Sequence, residues 1–125
     1  EGRNVEVLGR KIKTVRLSKG LVWFSFKELC EGFRSSKDYI ELCVEFHTIF
    51  VSGIPLLDSN NDDSTRRFIA LVDECYERNV NLILSSEAIT KELYSGQKMK
   101  EPFKRTISRL EEMRSRDYLS KPHLA

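Results

Sequence analysis

The chain opens with short runs in which apolar and polar positions alternate. Val5-Glu6-Val7 and the run 12–17 (Ile12-Lys13-Thr14-Val15-Arg16-Leu17) have the two-residue period of half-buried strands, with Gly9-Arg10 between them. Ser18-Lys19-Gly20 reads as a turn, and residues 21–24 as a third extended run, so the first stretch predicts a small antiparallel meander. Ser25 followed by Glu28, and Ser35 followed by Asp38, are capping-box spacings. The first opens a short helix through Leu29 and Cys30 that stops at Gly32. The second opens a helix in which Tyr39, Leu42, Cys43 and Phe46 recur at helical spacing.

The period changes in the second half. Residues 48–51 form an apolar run of β formers, stopped by Gly53 and Pro55, and a polar loop spans 58–63. Across 64–79, Phe68, Leu71, Val72, Cys75 and Tyr76 mark one helical stripe. Residues 80–84 are again a short apolar strand. Strand, helix, strand predicts a right-handed unit with parallel strands, and continuous apolar runs suit strands buried on both faces. A short helix is expected over 87–94, a break at Ser95-Gly96, and a last helix over 104–119 with Phe103, Ile107 and Leu110 facing inward. The fold class expected is α/β: a mixed sheet of about five strands, an N-terminal antiparallel meander joined to a parallel strand–helix–strand unit, with helices packed on the sheet. Residues 1–125 are expected to form a single domain.

Composition narrows the chemistry. The chain is 40% hydrophobic and 32% charged, and its 21 basic and 19 acidic residues leave a net charge of +2. That balance argues against a uniform coat for nucleic acid. No apolar run approaches the ~20 residues of a membrane helix. Cys30, Cys43 and Cys75 are widely spaced within apolar patterns, without CxxC, and only His47 and His123 could join them. The expectation is buried, inert thiols, a reducing compartment and no metal site. Opening at Glu1 without an initiator Met predicts a processed product or an excised segment.

No phosphate-cradling GxxxxGK[ST], GxGxxG or nucleophile elbow is present, and no strand ends in paired acids that would hold Mg²⁺. The chain alone is therefore expected neither to hydrolyse nucleotide nor to bind Mg·ATP at micromolar concentration. His47 reads as a packed or capping residue, and Asp73-Glu74 as a solvated or ion-paired face. Ser85-Ser86-Glu87 closes a strand at the edge of a parallel sheet that ligands favour, but also reads as a helix cap. The basic residues say more. Arg66 and Arg67 sit in the first turns of a helix, where acids are preferred. Asp62, Asp63 or a remote carboxylate would answer that charge, and so would a phosphate or a protein partner. Residues 98–121 carry eight Lys/Arg against four Asp/Glu. Arg105, Arg109 and Arg116 fall on one face of the expected last helix, with Glu112 among them. That face reads as solvated and ion-paired, or as a bidentate phosphate or carboxylate contact.

Several segments resemble a known family. Val22-Trp23-Phe24-Ser25-Phe26-Lys27-Glu28-Leu29-Cys30 is similar to its F.eLC signature, and Asp38-Tyr39-Ile40-Glu41-Leu42 to its DYi.L motif. Phe46-His47-Thr48-Ile49-Phe50 followed by Ile54-Pro55 resembles FhTvf…vP. Arg66-Arg67-Phe68-Ile69-Ala70-Leu71-Val72-Asp73-Glu74 with Tyr76-Glu77-Arg78 resembles RRFI.LvDe.YEr. Phe103-Lys104-Arg105-Thr106-Ile107-Ser108-Arg109-Leu110, with Glu112-Met113, Ser115 and Tyr118-Leu119, resembles F.RtiSRL.EM.s.eYL. Together these resemble the C-terminal region of the ZapE/AFG1 family of AAA+-type P-loop ATPases, with an ending nearer the bacterial branch.

The resemblance implies a non-catalytic C-terminal domain whose ATP and Mg²⁺ belong to an upstream ATPase module. It implies that module as a partner, with the tubulin-like division-ring protein and self-association as further ones, a role in bacterial cell division, and a bacterial cytoplasmic location. It also gives Arg105 and Arg109, within the RtiSRL motif, a claim as arginine-finger or sensor residues, with Arg66 and Arg67 as the rival pair. The other class of function is an independent protein- or nucleic-acid-binding adaptor that uses the basic last helix.

Overall fold

The computed structural model describes residues 3–32 and 34–124, without the side chain of Arg116. The ends of the expected single domain, Glu1 and Ala125, lie outside the described residues. Among the described residues, six strands form two sheets. Strands β1 (Asn4–Val7) and β2 (Arg10–Lys13) make an antiparallel hairpin. Its two-residue turn places Leu8 at φ 52° and Gly9 at φ 80°, the twist that a tight hairpin requires. The second sheet has the order β3 (Arg16–Ser18), β4 (Leu21–Ser25), β5 (Thr48–Ile54), β6 (Asn81–Ser86). β3 is antiparallel to β4, whereas β4, β5 and β6 are parallel. The α/β class and the mixed sheet are as the sequence predicts.

The expected 12–17 strand is two strands in two sheets. The Thr14 amide donates to the Arg3 carbonyl at 2.8 Å, on the hairpin side, and the Val15 amide to the Trp23 carbonyl at 2.7 Å. The chain thus changes hydrogen-bond partner between adjacent residues, which apolar alternation alone cannot reveal.

Helices α1 (Phe26–Cys30) and α2 (Ser36–Glu45) join β4 to β5, and α3 (Asp62–Glu77) joins β5 to β6. The caps form as their spacing predicts. Ser25 Oγ accepts from the Glu28 amide at 3.2 Å, and Asp38 accepts from the Ser35 amide at 2.8 Å. Asp38 is 1% exposed, and Arg10 Nη2 donates to both of its oxygens at 2.7 Å, which ties the hairpin to the start of α2. A buried carboxylate is tolerated only with such pairing.

Two expected helices differ. Residues 87–94 contain only a 3-10 turn at Thr90–Glu92. The chain here is drawn back to the end of β5: the Leu57 amide donates to Leu93, and the Ser95 amide to Leu57, both at 2.8 Å. A helix cannot make those bonds. Ser85-Ser86-Glu87 is therefore no helix cap; the Glu87 amide instead donates to the Ile54 carbonyl at 3.0 Å. The last helix begins earlier and breaks. α4 runs Lys100–Met113, with Pro102 tolerated in its first turn, and α5 runs Arg116–Ser120, capped by Ser115 Oγ on the Tyr118 amide at 3.2 Å. The expected common face of Arg105, Arg109 and Arg116 is thus interrupted, and the Arg116 side chain lies outside the described residues.

The core lies on one side of the larger sheet. Val22, Phe24, Ile49 and Val51 are fully buried, together with Phe26, Leu29, Tyr39, Phe68, Leu71 and Val72 from the helices. Phe26, Phe68 and Phe103 continue this core from α1 through α3 to α4, with successive ring centroids 6.2 and 6.3 Å apart. Burying each such ring is worth roughly 2–3 kcal/mol. The alternate positions of the sheet point away. Trp23, Phe50 and Ile83 are in register across β4, β5 and β6. Trp23 and Phe50 are half-buried and Ile83 is 49% exposed. The expectation of burial on both faces is corrected here: the helices cover one face only.

Candidate functional site

The four arginines that the sequence singles out occupy two places. Arg105 and Arg109 lie one turn apart on α4, which packs along α3. Arg109 Nη1 donates to Asp73 Oδ1 at 2.6 Å, and its guanidinium carbon stands 4.8 Å from the centre of the Tyr76 ring. Glu112 does not pair with Arg109; it accepts the Tyr76 hydroxyl at 2.9 Å. Arg109 is therefore committed to the α3–α4 contact. Arg105 is exposed and makes no ion pair among the described residues. Elsewhere along α4, Lys104 meets Glu101 at 3.1 Å and Lys91 meets Glu111 at 3.9 Å, so part of the helix's positive charge is answered locally.

Arg66 and Arg67 stand in the first turns of α3. Arg66 Nη1 pairs with Asp63 at 3.0 Å, both side chains being well exposed. Arg67 Nη1 donates to the Cys30 carbonyl at 3.2 Å, and no carboxylate pairs with it among the described residues. These two arginines, with Arg34, Ser35, Ser36, Tyr39, Asp63 and Ala70, line a cavity of about 340 Å³. Arg34 and the two serines were not singled out in the sequence. Their signal was local: a loop residue and two hydroxyls directly before a capping box.

Buried acids near the cavity are held neutral. The Cys30 thiol is pushed up to about 12, first by burial, and the Tyr39 phenol is raised by burial while its hydroxyl donates to the Leu29 carbonyl at 2.9 Å. The charges of Arg67 and Arg34 work against both shifts. All three cysteines are free and buried, with the Cys43 and Cys75 sulfurs 3.6 Å apart. His47 packs over Gly20, and its Nδ1 lies 2.8 Å from the Thr48 hydroxyl. Glu74, beside Asp73, is 3.9 Å from Arg78. Among the described residues no cluster of three His, Cys, Asp or Glu could hold a metal ion, and no helix is long and apolar enough to cross a membrane.

The open sheet face is the second surface that the sequence did not mark. Trp23 and Phe50 stack there with centroids 4.8 Å apart, and Trp23 Nε1 donates to Ser52 Oγ at 2.7 Å. An aromatic pair fixed by a hydrogen bond and flanked by an exposed isoleucine is a ready contact surface.

The profile of the AFG1-like ATPase family matches residues 1–122. The chain belongs to that family. It is 41% identical over 121 residues to Cell division protein ZapE of Escherichia coli, covering 97% of this chain and 32% of the relative. A protein of Schizosaccharomyces pombe is 41% identical over 90 residues, covering 72% of this chain and 20% of its own length. Lactation elevated protein 1 homolog B of Danio rerio is 31% identical over 86 residues, covering 69% of this chain and 17% of the relative. The chain thus spans about a third or less of the length of these relatives. No solved structure matches it significantly. Within this AFG1-like chain, Arg109 stands on the α3–α4 contact, Arg105 is exposed one turn away, and Arg66 and Arg67 line the cavity.

Proposed function

We infer that this chain is the C-terminal, non-catalytic domain of a ZapE-like AAA+-type ATPase that acts in bacterial cell division in the cytoplasm. ATP and Mg²⁺ are held by an upstream module of the same polypeptide, and this domain packs against that module. The observation that carries the reading is the uncovered sheet face of a chain that matches only a third of a family member. Trp23, Phe50 and Ile83 provide the apolar centre of an intramolecular interface, and the neighbouring polar Ser52 and Arg16 provide its rim. The tubulin-like ring protein and a second copy of the polypeptide are the further partners of this reading.

Arg105 takes the role of an arginine directed at the nucleotide of that module or of a neighbouring subunit. Its exposure leaves it available to a developing negative charge, whereas Arg109 sets the helix that carries it.

Hydroxyl-radical footprinting of the full-length protein and of the 125-residue chain tests the interface. Trp23 and Phe50 label readily in the chain and are shielded in the full-length protein. Equal labelling in both would remove the packing role.

A further inference from the structure

We propose that the outer edge of β6 receives an added strand, an extended segment of the upstream ATPase module of the same polypeptide. The inference rests on the domain reading above and adds a second contact to it, made by backbone hydrogen bonds rather than by the face of the sheet.

Among the described residues β6 is the last strand of the larger sheet, paired with β5 alone. The Asn81 amide donates to the His47 carbonyl at 2.9 Å and the Glu87 amide to the Ile54 carbonyl at 3.0 Å, so odd-numbered positions bond toward β5. Backbone groups alternate in direction along a strand, which turns those of Leu82, Leu84 and Ser86 to the outer edge. An open edge is a template for another chain, and proteins blunt it with charge, proline or brevity. The opposite edge follows that rule: β3 has three residues, one of them Arg16, and Lys19 comes directly after it. β6 has six residues, Asn81–Ser86, with no charge and no proline. Nothing in its sequence discourages pairing.

The core beside this edge is incomplete. Leu82 and Leu84 stand in register with Ile49 and Val51 of β5, yet they are half-buried where Ile49 and Val51 are fully buried. A cavity of about 310 Å³ opens next to them, between the end of β6 and α4, with Leu84, Ser86, Ile89, Leu110 and Arg114 in its walls. Ile89 is 64% exposed. A strand laid ~4.8 Å from β6 would bring an apolar side chain over Leu84, Ile89 and Leu110 and cover them. Arg114 is exposed and makes no ion pair among the described residues, so an acidic residue in the incoming segment complements it.

The occupant follows from length and charge. This chain covers 32% of its Escherichia coli relative, so most of such a polypeptide remains to supply a strand. Ile83, at the centre of β6, already belongs to the apolar face assigned to that module, and edge and face are continuous. A second copy paired edge to edge across a two-fold axis would instead bring two Arg114 side chains to one seam, cation against cation.

Hydrogen exchange of the full-length protein, resolved to single amides by electron-transfer fragmentation, tests the added strand. Leu82, Leu84 and Ser86 are expected to exchange within about tenfold of Ile83 and Ser85, after correction for intrinsic rates. Outward amides faster than inward ones by ~10²-fold or more would overturn the inference. If Trp23 and Phe50 are then still shielded from hydroxyl radicals, the domain packing stands without the strand; if they label freely, both are removed. Ser86→benzoylphenylalanine, photolysed in a mixture of light and heavy-isotope-labelled full-length protein, names the occupant. Cross-links within single molecules to a segment preceding this chain are expected. Cross-links between light and heavy molecules would overturn the assignment in favour of a second copy.

Discussion

Arg109 reaches from α4 to Asp73 on α3 with a 2.6 Å hydrogen bond, while the face of Tyr76 packs against the same guanidinium. The two partners are only 26% and 29% exposed, so the pair is screened less than a surface ion pair. Arg105, one turn earlier, has no such tie among the described residues. Substitution at the two positions therefore has different consequences. Arg109→Ala should cost about 1–2 kcal/mol of stability through the lost ion pair and cation–π contact. Arg105→Ala should leave the melting temperature within about 1 °C but lower ATP turnover of the full-length protein by ~10²-fold or more, on the scale of an arginine finger. Thermal melts and steady-state turnover on both variants separate the two. Full turnover in Arg105→Ala would return that residue to a solvated or partner-contact role.

The turn between β3 and β4 tolerates a side chain at Gly20 poorly. Gly20 has φ 78°, and a Cβ there would clash with the His47 ring at Nε2. Gly20→Ala combines left-handed strain with a side-chain clash and should cost about 2–3 kcal/mol. Adding His47→Ala should recover only the clash, about half of that loss. A double-mutant cycle by urea unfolding reads the coupling, and independent, additive effects would contradict the contact.

Leu8 offers the opposite case. It is 54% exposed and holds φ 52° in the β1–β2 turn, so its side chain contributes strain and little burial. Leu8→Gly should raise stability by about 0.5–1 kcal/mol, because glycine adopts that conformation without penalty. Denaturant midpoints decide the sign; a loss of stability would mean that the leucine is held by contacts.

Stability should decline in alkali. Cys30 is raised from its ordinary 9.0 to about 12, chiefly by burial. Burial also raises Tyr39 and Tyr118, whose hydroxyl lies 2.8 Å from both the Cys75 and the Val80 carbonyls. Between the unfolded and folded values the native state binds more protons than the unfolded chain. The stability tied to Cys30 is thus intact below about pH 9 and is lost as pH rises toward 12. Melting temperature should stay level through neutral pH and fall above about pH 9. The same burial predicts that a thiol reagent at about pH 8 labels the cysteines only after denaturation. A level melting curve into strong alkali, or rapid labelling of the native chain, would contradict it.

Local patterns made much of this fold legible. The stripe Phe68, Leu71, Val72 and Cys75 is buried as its spacing required, and both helices start where their caps were expected, Ser25 as a simple N-cap and Ser35 with Asp38 as a full capping box. The features that local patterns missed depend on distant partners. Thr14 and Val15 divide one alternating run between two sheets because the Arg3 carbonyl accepts from one amide and the Trp23 carbonyl from the next. Residues 87–94 lose a helix to Leu57. The apolar runs 48–51 and 80–84 read as buried on both faces, yet Ile83 faces out because no helix crosses to that side. The candidate arginines were visible through their motifs. Arg34 was not, because only the fold brings the loop before α2 to the first turn of α3.

The most direct test of the account is ATP turnover by the 125-residue chain with Mg²⁺, beside that of the full-length protein at equal concentration. The account predicts no phosphate release by the chain above the rate in buffer, and clear turnover by the full-length protein. Mg²⁺-dependent hydrolysis by the chain alone, at a rate comparable to the full-length protein, would contradict its assignment as a non-catalytic domain.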